Sequence, residues 1–464
     1  MTKQNEITEP RTLSGFHEFS DKEQLVYARC YDITRRHYEL AGATPLETSA
    51  FEEKRILVSN GGNGGVDRQI YSVSRLAEEG TDKERTDYAL RFDQTVPLAR
   101  FVAMRKTELS FPYRRYQMQP VWRGERAQSG RYREFTQADI DVIGDGKLAL
   151  ITDAELPAII YGIFTEMGIG EFLIRISNRK LLDGVLTAFK LDETQRPVAM
   201  RTLDKLDKIG GTAMQEELIS KVNLEVETAA KLHELACTKG TIEEITPYIS
   251  SLPSNTLLDE GLDELTSVCN AISMLGVPTK SFTVDLSVAR GLSYYTGTVY
   301  ETTLLAHPGI GSICSGGRYE DLANKFTKHK LPGVGISIGL TRLVARLLEA
   351  GILTADRATT ASVLITSMNH QIMPRYLDLA TRLRKAGICT EVYLEPNRIG
   401  EQLRFASRKG FNYAVIAGEA ETTNNTWKIK DLFTGVQQSI TDNRIVSELS
   451  NNGNKNQETT VLTA

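Results

Sequence analysis

The chain has 464 residues, of which 25% are charged and 41% hydrophobic, and its formal net charge is −4. This length accommodates two or three domains with cores of their own, and the composition is that of an ordinary globular protein. The slightly acidic balance excludes a uniformly basic nucleic-acid-binding protein but leaves room for a local basic surface. No run of about twenty apolar residues is present, so we expect no membrane span.

The cysteine and histidine patterns give no sign of a metal site. The five cysteines are widely spaced without a C-x-x-C pair, which predicts neither a zinc site nor a redox pair and fits a reducing cytoplasm. The six histidines show no ligand spacing. Because the first 23 residues lack an apolar segment and an Arg-rich amphipathic pattern, we expect no signal or transit peptide and a cytoplasmic location.

The first predicted element is a long amphipathic helix at residues 21–41. Ser20 and Glu23 form a capping-box pattern before it, apolar residues recur within it at helical spacing, and Gly42 is a stop signal. The glycine cluster NGGNGG at 60–65 lacks the lysine and the hydroxyl of a phosphate loop. We interpret the cluster as a mobile loop, and the alternative is a lid over a substrate.

The next stretch is predicted to form strands and turns around one short helix. YALRFDQTVPLARFVA gives a short strand, a polar turn and a helix, and FPYRRYQMQPVWRGE and GRYREFTQADIDVIG give two extended segments. Helical periodicity then dominates from about 179 to 275, which we interpret as a helical insertion. Extended sequence returns after it, up to PGVGISIGLTRLVARLLEA.

A second domain is predicted at residues 360–445, where strands and helices alternate and a hairpin closes the series. This stretch holds eleven Lys and Arg against eight Asp and Glu, an excess compatible with binding a polyanion. A solvated helix face is the simpler explanation of the charge by itself. Residues 446–464 are polar, and we expect this tail to be disordered.

Arginines and carboxylates concentrate in VWRGERAQSGRYREFTQADIDVIGD. Arg123 and Arg131 flank a turn, so that their guanidinium groups would converge on one polyphosphate. Phe135 offers a flat apolar face for a base. Gln137 and Asp141 share one strand face, where the pair would hold an ammonium or an imidazole N–H. A surface hairpin is the alternative interpretation.

The quoted stretch resembles motif 2 of class II aminoacyl-tRNA synthetases in its histidyl form. LRFDQT, VARGLSYYTGTVYE, and CSGGRYEDL with PGVGISIGLTRL resemble further motifs of the histidyl-tRNA synthetase family, in the same order. The resemblance covers roughly residues 13–445. It implies a mixed α/β (α+β) fold, with a class II antiparallel-sheet catalytic domain at 1–345 that carries the insertion, and an anticodon-binding α/β domain at 360–445.

The resemblance also implies a homodimeric ligase that activates histidine with ATP and passes the histidyl group to the 3′ end of the tRNA for histidine. Mg²⁺ is expected with the ATP, and no metal is expected to bind to the protein alone. The alternative is an inactive, synthetase-like regulatory subunit of ATP phosphoribosyltransferase. Such paralogues generally lack the anticodon-binding domain and lose motif residues, whereas this chain keeps Arg123, Arg290 and Arg342.

The resemblance assigns the ATP side of the site to two motifs. Arg123 would hold the α-phosphate, and Arg131 would reach the outer phosphates. Glu125 would face the adenine amino group, and Phe135 would stack on the adenine ring. Arg342 would lie on the other side of the ATP.

The histidine side follows from the same resemblance. The α-amino group would be bound by Asp93, Thr95 and Gln137, with Gln94 in the same segment. The imidazole would be recognised by Asp141 and the pair Tyr294–Tyr295, of which at most one faces the substrate directly, since neighbours on a strand point to opposite faces. Arg290, like Arg123, would lie near the carboxylate and the α-phosphate. Where proline, aspartate and glutamate are commoner in the family, this chain has Ser49, Ser293 and Thr341.

Overall fold

The computed structural model describes residues 8–58, 69–75, 87–126, 130–289, 295–320 and 322–451. The predicted loop at 60–65 and the residues Arg290, Ser293 and Tyr294 lie outside the described residues. The chain divides into two compact units: the larger contains Cys30–Glu349, and the smaller contains Phe19–Arg29 and the residues from Ala350 onward. Over the described ranges, no helix is long and apolar enough to cross a membrane.

The larger unit is built on one large sheet and a small one. Its described strands are, in chain order, β1 (Thr44–Pro45), β2 (Phe51–Glu53), β3 (Ser72–Val73), β4 (Tyr88–Leu90), β5 (Tyr113–Trp122), β6 (Glu134–Ile143), β7 (Phe172–Asn178), β8 (Lys239–Gly240), β9 (Phe282–Asp285), β10 (Tyr295–Leu304), β11 (Ser312–Tyr319) and β12 (Gly333–Gly339). The large sheet has the described strand order β1-β5-β6-β12-β11-β10-β7-β9-β8, and β2-β4-β3 form the small sheet. Only the pairs β1–β5 and β7–β9 are parallel among these described strands, which confirms the expected antiparallel catalytic sheet.

Several helices pack against the large sheet. Those described before residue 350 are α1 (Asp21–Leu40), α2 (Lys54–Leu57), α3 (Thr95–Met104), α4 (Thr152–Met167), α5 (Arg179–Ala188), α6 (Gln195–Leu203), α7 (Leu206–Val222), α8 (Val226–Cys237), α9 (Ile242–Ser250), α10 (Thr256–Met274) and α11 (Leu340–Glu349). Helices α5 to α10 follow one another between β7 and β9, with the two-residue β8 among them. They form the helical insertion that the periodicity predicts.

Helix α1 begins at the predicted capping box. The backbone N–H and the hydroxyl of Ser20 donate to Oε2 of Glu23 over 2.9 and 2.7 Å, which satisfies groups that a helix start leaves without partners. The predicted stop is confirmed too, since the helix ends at Leu40 and Gly42 adopts a φ of 76°. The hydroxyl of the buried Tyr38 donates to the carbonyl of Ala138 over 2.9 Å, and this bond fixes the helix to β6.

Strand β6 shows how the large sheet separates its core from its cleft. Successive side chains of a strand point to opposite faces, and here Ile140 and Val142 are at most 1% exposed in the core. On the other face, Gln137, Asp139 and Asp141 are 8%, 3% and 3% exposed. The sequence therefore places three buried polar groups side by side, and burying them requires hydrogen bonds or counter-charges.

The smaller unit is an α/β domain. Its described elements are β13 (Val363–Ile365), α12 (Met373–Lys385), β14 (Thr390–Val392), α13 (Ile399–Lys409), β15 (Tyr413–Ile416), α14 (Glu419–Thr423), β16 (Thr426–Asp431) and β17 (Gln437–Thr441). The sheet order is β14-β13-β15-β16-β17, with parallel pairs around β13 and the predicted hairpin at the far edge. Trp427 is fully buried in the core.

The expectation of a disordered tail from residue 446 is wrong at its start. Residues 445–451 are helical. Ile445 and Leu449 are four residues apart, one helical turn, and both are buried in the core of the smaller unit. The prediction of disorder followed the polar neighbours of these two apolar residues. Local composition does not show which face of a short helix packs against a core.

Candidate functional site

The polar face of the large sheet forms a cleft of about 810 Å³ in the larger unit. Nine of the predicted site residues line this cleft: Asp93, Thr95, Arg123, Glu125, Arg131, Phe135, Gln137, Tyr295 and Arg342. Asp141 lines an adjoining recess of about 20 Å³, together with Asp139, Thr95 and Tyr295. Sequence motifs separated by more than two hundred residues thus meet in one place.

A lateral row of polar residues crosses the floor of the cleft. Directly paired residues on neighbouring strands lie on the same face, within about 5.5 Å of each other. From β5 to β7 the paired residues are Gln117, Asp139, Ser337, Ser315, Glu301 and Arg175. The two serines at the middle of the row leave room above the sheet, and charged groups stand on either side of them.

Arg123 lies between the two predicted halves of the site. It follows the end of β5, and its Nε donates to the carbonyl of Phe92 over 3.0 Å. Its Nη2 donates to Oε1 of Gln137 over 3.3 Å. Its guanidinium carbon lies 5.1 Å from the ring centroid of Phe135, a cation–π distance. One cation therefore contacts the residue predicted for the base and a residue predicted for the amino acid.

The turn after β5 arranges the remaining arginines of motif 2 in two ways. Arg131 is 57% exposed in its side chain and lies 3.9 Å from the carboxylate of Glu125. Arg133, in contrast, donates from Nε to the carbonyl of Glu125 and from Nη1 to the carbonyl of Ser14. Arg133 is thus a structural residue of the turn, whereas Arg126, which we did not predict, lines the cleft.

Arg342 approaches the cleft from the first turn of α11. Its Nη2 donates to the carbonyl of Ile310 over 3.0 Å. The preceding Thr341, which departs from the usual family pattern, accepts the backbone N–H of Thr136 on its hydroxyl over 2.9 Å. Thr341, which is smaller than the glutamate commoner in the family, therefore attaches α11 to β6 beside Phe135.

Asp93 and Gln94 precede α3 and differ in where their side chains lie. Asp93 is 4% exposed, accepts the backbone N–H of Val96 over 3.3 Å, and has no described hydrogen-bond partner for Oδ2. Burial raises the pKa of Asp93 to about 6, while Arg123 and Arg115 oppose the shift.

Gln94 does not line the cleft, because its amide donates to the carbonyls of Gln119 and Gln137.

A hydrogen-bonded chain holds the amide of Gln137. Its Nε2 donates to the hydroxyl of Ser337 over 2.8 Å, and this hydroxyl donates to Oδ1 of Asp139 over 2.5 Å. Burial raises the pKa of Asp139 to about 7, against the attraction of Arg115. Ser337 and Asp139 were not predicted. The alternation in GVGISIG could have indicated Ser337, because it places this serine on the same strand face as Gly335 and Gly339.

Asp141 is held at the floor of the recess. Its Oδ2 lies 2.8 Å from Nη2 of Arg115, and its Oδ1 accepts the hydroxyl of Tyr319 over 2.9 Å. Burial raises the pKa of Asp141, and Arg115 and Tyr319 lower it. A Cβ on Gly335, the residue paired with Asp141, would lie 2.0 Å from Oδ1, so this position needs a glycine to admit the carboxylate.

The far wall of the cleft contains residues that sequence reasoning missed. Glu301 accepts Nη1 of Arg175 over 3.2 Å, and the same guanidinium contacts Asp285 and, on α7 of the insertion, Asp207. Asp204 of the insertion lines the cleft as well. These residues come together through pairing of β7 with β10 and folding of the insertion, which leave no pattern in the sequence.

The described residues do not offer a preformed metal centre. Within them, no group of three or more His, Cys, Asp or Glu side chains is placed to hold a metal ion. Magnesium in nucleotide sites is commonly held by substrate phosphates with one or two carboxylates. Two cleft carboxylates other than Glu125, those of Asp204 and Glu301, therefore fit an ion that enters with a nucleotide.

An antiparallel sheet with this cleft, joined to a separate five-stranded α/β domain, defines a class II aminoacyl-tRNA synthetase. The family model described as histidyl-tRNA synthetase matches residues 40–343, and the model described as anticodon binding domain matches residues 361–452. The chain belongs to the histidyl-tRNA synthetase family.

Individual relatives agree with this assignment. The chain is 43% identical to the histidine–tRNA ligase of Stenotrophomonas maltophilia (strain K279a), over 96% of this chain and 98% of that protein. The crystal structure of histidyl-tRNA synthetase from Nostoc sp. PCC 7120 is similar with a TM-score of 0.88 and 40% identity, over 96% of this chain and 100% of that one. A structure described as an ATP phosphoribosyltransferase regulatory subunit/histidyl-tRNA synthetase from Bacillus halodurans C shares the fold, with a TM-score of 0.68 and 20% identity over 87% and 97% of the two chains.

Proposed function

We propose that this chain is a histidine–tRNA ligase: it activates histidine with ATP and transfers it to the tRNA for histidine. The observation that carries the proposal is the position of Arg123, whose guanidinium contacts the Phe135 ring on one side and the Gln137 amide on the other. A nucleotide stacked on the ring and an amino acid held by the amide would meet at this cation. Such a meeting point is what adenylation of an amino acid requires.

The first step is an in-line displacement. A carboxylate oxygen of histidine attacks the α-phosphorus of ATP, the bond from that phosphorus to the bridging oxygen breaks, and pyrophosphate leaves. Negative charge grows on the phosphoryl oxygens, and a fixed guanidinium at Arg123 offsets it. In the second step a hydroxyl of the terminal ribose of the tRNA attacks the carbonyl carbon, and AMP leaves.

The ATP side of the proposal rests on three further residues. The side chain of Arg131 is 57% exposed at the cleft and would reach toward the outer phosphates. Glu125 beside it would accept from the adenine amino group. Arg342 approaches from α11 on the opposite side. Mg²⁺ would arrive on the outer phosphates and supply charge neutralisation there, since the ion prefers phosphate oxygens and few protein ligands.

The histidine side of the proposal uses the buried carboxylates. Asp93 and Thr95 would take the α-amino group together with Oε1 of Gln137, because an ammonium needs several acceptors around it. Asp141 would accept an imidazole N–H in addition to its bonds with Arg115 and Tyr319. Tyr295 lines both the cleft and the recess and is the tyrosine of the pair that we assign to the ring.

Other parts of the proposal come from the family alone. Arg290 and Tyr294 are proposed as further ligands of the histidine, and Arg290→Ala is expected to abolish adenylation while leaving the fold intact. We also propose that the domain at 360–445 reads the anticodon, that the catalytic domain spans 1–345, and that the protein acts as a cytoplasmic homodimer.

The regulatory-subunit alternative is less well supported. Such a subunit does not need the adenylation residues, yet Arg123 and Arg342 are present at the cleft. It does not need an anticodon domain either, and residues 361–452 match one.

Pyrophosphate exchange into ATP tests the proposal. Purified protein is assayed with each of the twenty amino acids in turn, and we expect exchange with histidine only. A folded protein that shows no exchange with any amino acid would favour the alternative function as a regulatory subunit. Charging of tRNA with labelled histidine then tests the second step.

A further inference from the structure

We infer that Asp139 and Ser337 are positioning residues for histidine recognition, because they fix the amide of Gln137 with its oxygen toward the substrate. The inference rests on the proposed function, in which Gln137 binds the α-amino group. Neither residue belongs to the motif residues that the resemblance assigns. Both lie on the polar row of the cleft floor, directly paired across β6 and β12.

The direction of each hydrogen bond follows from the chemistry of the groups. An ionised carboxylate only accepts, so the Ser337 hydroxyl donates to Asp139 over 2.5 Å. The oxygen of that hydroxyl then has its lone pairs for a donor, and Nε2 of Gln137 lies 2.8 Å away. Because the amide nitrogen faces Ser337, the amide oxygen must face the other way, where an ammonium would need it.

Arg123 imposes the same orientation in the structure described, since its Nη2 donates to Oε1 of Gln137 over 3.3 Å. That contact is long for a charged donor. In the proposed reaction the guanidinium of Arg123 contacts the α-phosphate and no longer donates to Gln137. The Asp139–Ser337 pair is then the part of the chain that still holds the amide, and this gives the pair a role during catalysis and not only in the free protein.

The rigidity of the pair comes from the strands that carry it. Asp139 is 3% exposed on a strand that pairs with β5 on one side and β12 on the other. Burial raises the pKa of Asp139 to about 7 and Arg115 opposes the rise, so that the carboxyl is mostly ionised at pH 8. Asp139 therefore acts as a fixed acceptor for the Ser337 hydroxyl. The hydroxyl, held in this direction, accepts the amide N–H of Gln137 and fixes the amide.

The test uses Ser337→Ala and measures pyrophosphate exchange at pH 8 over a range of histidine and ATP concentrations. We expect KM for histidine to rise about tenfold, which is the loss of part of one hydrogen bond to a charged group, while KM for ATP stays within about twofold. Ser337→Thr keeps the hydroxyl, and its KM for histidine should stay near that of the unmodified protein. Asp139→Asn, which no longer dictates the direction of the hydroxyl, should give an intermediate rise.

Two controls separate positioning from packing. Ser177→Ala removes a fully buried hydroxyl from the same large sheet, away from the cleft lining, and should leave both KM values unchanged. Imidazole-4-propionate lacks the α-amino group, so its inhibition constant against histidine should be the same for Ser337→Ala and the unmodified protein. Equal weakening of this compound and of histidine would show that Ser337 acts on the imidazole or on the fold, and would overturn the inference.

The inference and the proposed function fail in different ways. An unmodified protein without histidine-dependent exchange would remove the proposed function. Normal exchange by the unmodified protein, with KM for histidine unchanged in Ser337→Ala, would remove only the role of Ser337 and Asp139.

Discussion

Arg115 and Asp141 form a buried ion pair beneath the candidate site, with Nη2 of the arginine 2.8 Å from Oδ2 of the aspartate and their side chains 0% and 5% exposed. Among the residues that the structure describes, no acceptor has hydrogen-bond geometry with the N–H groups of Arg115, so the pair is mainly a coulombic contact. Arg115 also lowers the pKa of Asp93 and Asp139, in each case against burial. One cation thus compensates three carboxylates that the site keeps out of water.

Arg115→Met should therefore destabilise the protein strongly. Removing the cation leaves buried carboxylates without compensation, and breaking a buried pair in this way costs about 3–5 kcal/mol of the free energy of unfolding. Urea unfolding at pH 8 measures the change. Arg35→Met serves as the control, because Arg35 and Glu39 form an ion pair whose side chains are each 42% exposed, and an exposed pair contributes little to stability. A loss as small as the control's would refute the role of Arg115.

Arg123→Lys should reduce the rate of histidine-dependent pyrophosphate exchange. Lysine keeps the charge but loses the planar fork that contacts Phe92, Gln137 and the Phe135 ring together. We expect kcat/KM to fall by roughly 100-fold or more, the usual effect of losing a preorganised group at developing charge. Arg105→Lys, in an exposed pair with Glu108, should change nothing. Activity of Arg123→Lys within a few-fold of the unmodified protein would remove this arginine from the chemistry.

Gly335→Ala should weaken histidine binding specifically. The new Cβ would fall 2.0 Å from Oδ1 of Asp141, so the carboxylate or the strand must move. We expect KM for histidine to rise by roughly 10-fold or more, about 1.4 kcal/mol or more of lost binding, with a smaller effect on KM for ATP. Gly400→Ala is the matched control, because no described atom outside its own stretch of helix lies within 4 Å of the added methyl group. Equal effects on both substrates would indicate general disruption of the sheet.

Asp139→Asn should stabilise the fold at high pH. Burial raises the pKa of Asp139 from 3.8 to about 7, so the folded state binds this proton more tightly than the unfolded state. Stability therefore falls as the pH rises from about 4 to about 7. Asparagine removes this titration, and we expect the variant to gain up to about 4 kcal/mol at pH 8 and only about 1 kcal/mol at pH 4.5, where the titration has just begun.

The measurement is urea unfolding of both proteins at the two pH values. Asp32→Asn is the control, because the side chain of Asp32 is 68% exposed. Its change in the free energy of unfolding should be the same at pH 4.5 and pH 8. A gain for Asp139→Asn that is the same at pH 4.5 and pH 8 would show that the carboxyl does not titrate between folded and unfolded states as its burial requires.

Most helices and strands could be predicted from local sequence patterns, and most of the predicted site residues line the cleft. Helix α1 with its Ser20–Glu23 capping box, the long strands β5 and β6, the helical insertion and the alternating smaller domain all follow from local patterns, because periodicity and caps act within a few residues. Most of the motif arginines and carboxylates were predicted differently, from the resemblance of short motifs to the histidyl-tRNA synthetase family.

Which of these groups contact one another could be seen only in the folded chain. It assigned Gln94 to the backbone of two strands, placed Arg133 within its turn, and added Asp139 and Ser337 to the site through the pairing of β6 with β12. It also turned residues 445–451 into a helix against the core. The physical reason is common to all of them: strand register and burial depend on partners far away in the chain, and a local pattern contains no record of those partners.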